Sequence, residues 1–176
     1  MKYKEIYDEY NFLLAKLNDY AKILLTLKDG YISTKTISGK KYYYLQKKIN
    51  NKINSEYIRA ELLPQIEAQL QKRGEAETEI KLINEQLGKL ETAVMVVDKN
   101  LYRTLINLKR SSAMDFIPLD IRKKSLEFGN AMTALEGIPA SEETDKNLLL
   151  WAAGEHSFKD SYLQTLAKYN LMESNV

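Results

Sequence analysis

Residues 31–58 read YISTKTISGKKYYYLQKKINNKINSEYI, and this stretch decides the fold because its apolar residues do not step by three or four as they do elsewhere in the chain. It is rich in Tyr, Ile and Thr, which suit a pleated, half-buried surface. Ser38-Gly39-Lys40 and Asn50-Asn51-Lys52 interrupt it about ten residues apart, and both clusters form turns readily. The spacing predicts three antiparallel strands near 31–37, 41–49 and 53–58. A meander this thin is not stable alone, so a helix must cover one of its faces.

Outward from the meander the chain reads as helix. From Ile6 to Leu27 the residues Ile6, Tyr10, Leu13, Leu17, Tyr20, Leu24 and Leu27 form one apolar stripe, which Asp29-Gly30 ends. Beyond Pro64, the residues Ile80, Ile83, Leu87, Leu90, Val94, Val97, Leu101, Leu105 and Leu108 alternate steps of three and four. They predict a long coiled-coil-like helix over about 61–110, weakest at Gly74 and Gly88. Its seam requires a partner, either the first helix folded back or a second copy of the chain in a homodimer. Ser111 to Pro118 reads as a linker. Three shorter helices follow, at about 119–136, 142–153 and 158–169, ending at Gly137, Gly154 and Asn170. Ser141 and Ser157 are good N-caps, the latter with Asp160 three residues on. The expected class is mostly α, with long amphipathic helices, a small three-stranded antiparallel meander and a C-terminal three-helix module. The expected domains are residues 1–110 and 119–176, joined by 111–118.

The chain has 176 residues, 44% of them hydrophobic, enough for packed cores. It has no cysteine, which removes disulfides, zinc thiolate clusters and thiol nucleophiles. No apolar run approaches the roughly 18 residues of a membrane helix, and Met1-Lys2-Tyr3-Lys4 does not lead into a signal-peptide core. The chain is therefore expected to be cytoplasmic and to engage no membrane. Glycine-rich phosphate loops and metal-ligand spacings are also missing, and the single histidine, His156, reads as an exposed turn residue. The expectation is a protein without catalytic residues, metal or cofactor, acting through macromolecular partners.

Net charge is +2, but it is spread unevenly. Residues 1–60 hold 12 Lys/Arg against 6 Asp/Glu, whereas residues 113–176 hold 6 against 10. Within 28–59 there are eight basic and two acidic residues, interleaved with Tyr31, Tyr42, Tyr43, Tyr44 and Tyr57. That composition suits contact with nucleic acid through Lys35, Lys40, Lys41, Tyr42, Tyr44, Lys47, Lys48 and Lys52. Alternatively, the tyrosines pack the meander against a helix while the lysines keep its edges soluble. The strand, turn and aromatic strand pattern is loosely similar to the three-stranded arm-binding domains of tyrosine recombinases, whose sheet enters the DNA major groove. Gly30-Tyr31-Ile32-Ser33 followed by Lys41-Tyr42-Tyr43-Tyr44-Leu45-Gln46 and Tyr57-Ile58 also resembles a segment of uncharacterised proteins of Gram-positive bacteria.

A second resemblance lies in the C-terminal third. Ala134-Leu135-Glu136-Gly137-Ile138, the connection with Pro139, the helix containing Leu148 to Ala153, Gly154-Glu155 and the last helix from Ser157 follow one another in a recognisable order. In that order and spacing, residues 125–170 resemble the VbhA-type antitoxins, small helical inhibitors of Fic-domain adenylyltransferase toxins. The resemblance implies that Glu136 would pair with an arginine of the toxin and occupy the space of the ATP γ-phosphate, with Gly137 as the adjoining turn. The family has Ser or Thr four residues before that glutamate. Here Met132 stands in that place, with Thr133 one position later. Without the family, Glu136-Gly137 is an ordinary glycine helix end. Trp151, beside Leu148, Leu149 and Leu150, belongs in a helical core, with one surplus face able to anchor an interface. The expected function is a regulator of antitoxin type, from a bacterium or its mobile elements, that inhibits a Fic-type toxin or another enzyme in trans through the C-terminal helices. The alternatives are a nucleic-acid-binding accessory protein working through the basic meander, and a phage or mobile-element inhibitor or structural protein.

Overall fold

In the computed structural model, which describes residues 3–137 and 141–168, helix α1 spans Lys4–Thr26 and leads into strands β1 (Tyr31–Ile37), β2 (Lys40–Ile49) and β3 (Lys52–Ile58). A single 3-10 turn at Ala60–Leu62 opens helix α2 (Leu63–Val97), and α3 (Lys99–Met114), α4 (Leu119–Glu136), α5 (Glu142–Ala153) and α6 (Phe158–Lys168) follow. The fold is thus mostly helical with one three-stranded antiparallel meander, in the order β1-β2-β3. No helix among the described residues is long and apolar enough to cross a membrane.

Both hairpins turn through two residues. Ser38 and Gly39 have φ of 49° and 75°, and Asn50 and Asn51 have 48° and 62°. Two positive φ values in succession match the right-handed twist of the flanking strands, and Gly and Asn tolerate them best. The turns set a register in which Thr34 and Ile58 face Tyr43, while Ser33 and Tyr57 face Tyr44. Gly30, at φ 129°, brings the chain into β1 so closely that a Cβ there would lie 2.4 Å from the Gln46 carbonyl oxygen.

The expected single helix over 61–110 is two helices. Its break is at Asp98, not at Gly74 or Gly88, both of which lie inside α2. Asp98 is extended (φ −151°, ψ 107°), and its carboxylate accepts from the backbone N–H of Asn100 at 2.9 Å and Leu101 at 3.0 Å. An aspartate that satisfies the first free amides of a new helix offsets the lost continuity of the old one. The seam is accordingly uneven. Ile83, Leu87, Val94, Leu101, Leu105 and Leu108 are buried within this one chain, whereas Val97, beside the break, is 69% exposed.

The domain division also differs from expectation. Helix α3 runs to Met114 with Ser111 and Ser112 buried, so half of the supposed linker 111–118 is packed helix. The two compact units are Met1–Leu14 with Gly88–Val176, and Ala15–Leu87. In the first, the fully buried phenol of Tyr10 donates to Glu91 Oε1 at 2.7 Å, and Lys109 Nζ donates to the same oxygen at 2.8 Å. Burial, then the Glu91 carboxylate, push the Tyr10 pKa upward, which keeps it a neutral donor.

The C-terminal helices of this unit are joined by two residues. The Asp115 carboxylate accepts from Ser157 Oγ and from the Phe158 backbone N–H, each at 2.7 Å, and so caps α6 from the end of α3. Ser157 in turn accepts from the Asp160 N–H at 3.3 Å. Buried Arg122, in the first turn of α4, donates to the carbonyls of Ile117 (2.8 Å), Trp151 (2.9 Å) and Asp115. Its guanidinium lies 5.3 Å from the ring of Trp151, which is buried and meets Phe158 edge-on, also at 5.3 Å.

Candidate functional site

Side chains alternate between the faces of a strand, so the register divides the meander into two different surfaces. One carries Ile32, Thr34 and Thr36 from β1, Lys41, Tyr43, Leu45, Lys47 and Ile49 from β2, and Lys52, Asn54, Glu56 and Ile58 from β3. Leu45 and Ile58 are buried here. Of the four charged side chains on this side, Lys47 and Glu56 are tied to the rest of the unit, while Lys41 and Lys52 form no ion pair among the described residues. Lys47 pairs with Asp29 at 2.5 Å, Asp29 with Arg73 of α2 at 3.5 Å, and Glu56 with Lys28 at 3.6 Å. The hydrogen bond from Lys47, reinforced by the nearby Arg73, holds the Asp29 carboxyl below its ordinary pKa. Whatever stability this contact adds is present above the usual carboxylate range and lost as pH falls below it. This side is covered at Leu45 and Ile58, while Thr34, Thr36, Lys41, Ile49, Lys52 and Asn54 are exposed.

The other surface is open. It carries Tyr31, Ser33, Lys35 and Ile37 from β1, Lys40, Tyr42, Tyr44, Gln46 and Lys48 from β2, and Ile53, Ser55 and Tyr57 from β3. Tyr31 is 52% exposed and Tyr57 55%. The Tyr57 ring centre lies 5.8 Å from that of Tyr44 and 6.4 Å from that of Tyr42, at interplanar angles of 66° and 49°. Lys35 Nζ sits 5.1 Å from the Tyr44 ring centre, and Gln46 donates to Ser55 Oγ at 3.2 Å. These twelve positions hold four tyrosines, three lysines and no carboxylate. Among the described residues, Lys35, Lys40 and Lys48 form no ion pair.

The eight meander residues read from the sequence are thereby separated. Lys35, Lys40, Tyr42, Tyr44 and Lys48 share the open face, whereas Lys41, Lys47 and Lys52 are on the opposite one, placed there by the two-residue period. Tyr31 and Tyr57 belong to the open cluster and were missed as site residues. Strand parity, counted from the apolar Leu45, could have found them. Of the five tyrosines in the segment, Tyr43 alone shares the side of Leu45 and Ile58.

In the C-terminal module, Thr133 Oγ1 donates to the Asn130 carbonyl at 3.1 Å, Glu136 is exposed in the last turn of α4, and Gly137 has φ 69°. Ile138 and Pro139, which complete the antitoxin-like segment, lie outside the described residues. Phe128, Met132 and Leu135 are spaced by four and three along α4 and are 69%, 41% and 82% exposed. His156 is half-buried, its Nε2 enclosed, where an exposed residue was expected. Among the described residues no group of three or more His, Asp or Glu side chains is placed to hold a metal.

A family model described as a domain of unknown function, DUF6788, matches residues 4–68. That span takes in α1, the whole meander and the first residues of α2, and therefore the complete open face. No curated protein and no solved structure matches the chain.

Proposed function

We propose that the chain binds nucleic acid through the open face of the meander. The observation that carries this reading is the composition of that face: tyrosines at its centre, Lys35, Lys40 and Lys48 around them, and no acidic side chain. Leaving three ammonium groups without carboxylate partners around exposed aromatic rings does little for stability. It produces a surface whose charge attracts phosphates and whose rings take up bases. The opposite side also holds three lysines, of which Lys47 alone is paired, but it carries the carboxylate of Glu56 and one tyrosine, so the open face is set apart by its tyrosines and its lack of acidic side chains.

Lysine contacts of this kind release counterions. If the three lysines each neutralise one phosphate, affinity should fall roughly twenty- to forty-fold between 50 and 200 mM salt. Titrating the full chain into fluorescent polynucleotides, both single-stranded and duplex, measures this directly. Replacing Lys35, Lys40 and Lys48 together by alanine should abolish most of the salt dependence, whereas replacing Lys41 and Lys52 should not. Equal effects from both sets would refute the assignment to the open face.

A second reading, a regulator of antitoxin type, is favoured by the exposed Phe128, Met132 and Leu135, which give α4 an unpartnered apolar stripe leading to Glu136. A helix of this kind suits a groove on a partner protein, and a carboxylate at its end can pair with an arginine there. Adding the chain to a Fic-type adenylyltransferase should then suppress adenylylation, and Glu136→Gly should restore it. An unchanged rate on adding the chain would eliminate this reading.

A further inference from the structure

We infer that the open face takes single-stranded nucleic acid, with bases stacked on Tyr42, Tyr44 and Tyr57, and that it does not enter a duplex groove. This rests on the nucleic-acid reading above and specifies its ligand.

Three features of the face lead to this. The first is spacing. Tyr42 and Tyr44 stand two residues apart on one strand and on the same side, a separation of roughly 7 Å. Successive bases along a duplex strand are only about 3.4 Å apart, and their faces are hidden in the stack. Neighbouring duplex bases therefore cannot each meet a ring, whereas an extended single strand can set one base on each. The second feature is chemistry. A groove is read through hydrogen bonds to base edges, for which Arg, Asn and Gln are suited. The open face has no arginine or asparagine, and Gln46, its one amide, already donates to Ser55. Its central groups are aromatic rings, which offer faces and edges to any base.

The third feature is the position of charge. Lys35 faces Tyr42 across the β1–β2 pair while its ammonium group lies 5.1 Å from the Tyr44 ring centre. It is thus held beside the path that the phosphate linking two stacked bases would take. Tyr57, its ring 5.8 Å from Tyr44 and 6.4 Å from Tyr42, extends the platform sideways onto β3. Rings and ammonium groups do not distinguish ribose from deoxyribose, so DNA and RNA strands of one sequence should bind within a few-fold of each other.

The test is fluorescence anisotropy with the full chain and three probes of one mixed sequence: a 12-nucleotide DNA, the same RNA, and the DNA annealed to its complement. The single strands should bind at least ten-fold tighter than the duplex. Tyr57→Ala should weaken single-strand binding roughly ten- to hundred-fold, while Tyr57→Phe, which keeps the ring and removes the hydroxyl, should bind as the parent does. Tyr57 is more than half exposed, and unchanged circular dichroism would confirm that both variants fold. Equal or tighter binding of the duplex, or a loss in Tyr57→Phe equal to that in Tyr57→Ala, would overturn the single-strand inference and leave nucleic-acid binding intact. Failure of all three probes would remove both.

Discussion

Arg122→Ala should lower the unfolding free energy by about 3–5 kcal/mol, since three carbonyls each lose a charge-assisted donor, at about 1–3 kcal/mol apiece, and removal of the buried charge offsets only part of that. The acceptors are the carbonyls of Asp115, Ile117 and Trp151, which come from the end of α3, the connection before α4 and the last turn of α5. Arg122→Lys should recover less than half of the loss, because one ammonium group cannot reproduce the planar fork. Trp151 is the only tryptophan of the chain and lies against Arg122, so its emission during urea unfolding reports on this site directly. A loss below about 1 kcal/mol would mean that water satisfies those carbonyls and that the arginine matters little.

For Gly30→Ala the expected loss is about 2–3 kcal/mol, comparable with a strained backbone residue plus a steric overlap. Two independent features combine here. The φ of 129° is outside the range that residues with a Cβ adopt readily, and the new carbon would lie 2.4 Å from the Gln46 carbonyl oxygen and 3.3 Å from Leu45 Cδ1. Relief requires β1 to withdraw from β2 at the Tyr31–Gln46 pair, beside the open face. Amide hydrogen exchange in Ile32, Leu45 and Gln46 should therefore quicken well before α2 is affected. Exchange in these strands indistinguishable from that of the parent would show that the approach to β1 has slack.

Much of the architecture was legible because local signals agreed with one another. Ser38-Gly39 and Asn50-Asn51 marked both hairpins, an apolar stripe placed α1, and glycine ends and serine N-caps placed the last three helices, each within a residue or two of its position. The break at Asp98 was hidden because the heptad seam continues across it: Val94 and Leu101 are both buried although they belong to different helices. Side-chain capping at Asn100 and Leu101 outweighed the periodicity. At the candidate interface, composition singled out the segment but did not separate its two sides. The lysines of β2 look equivalent in sequence, and only their parity relative to Leu45 separates Lys40 and Lys48 from Lys41 and Lys47. Asp115 and Arg122 were not foreseeable by local pattern at all, since their partners at Ser157, Phe158 and Trp151 lie 42, 43 and 29 residues away.

Those separations bear on how the C-terminal module assembles. A contact between Asp115 and Phe158 closes a loop containing all of α4 and α5, and the entropy of that closure must be met before the contact contributes anything. Arg122 acts likewise, since it gains its Trp151 acceptor only when α5 has formed and docked. Helices α4, α5 and α6 are individually short, 18, 12 and 11 residues, and so have little independent stability. Long-range polar contacts among short helices favour cooperative assembly, so α4, α5 and α6 are expected to exchange their amides as one unit.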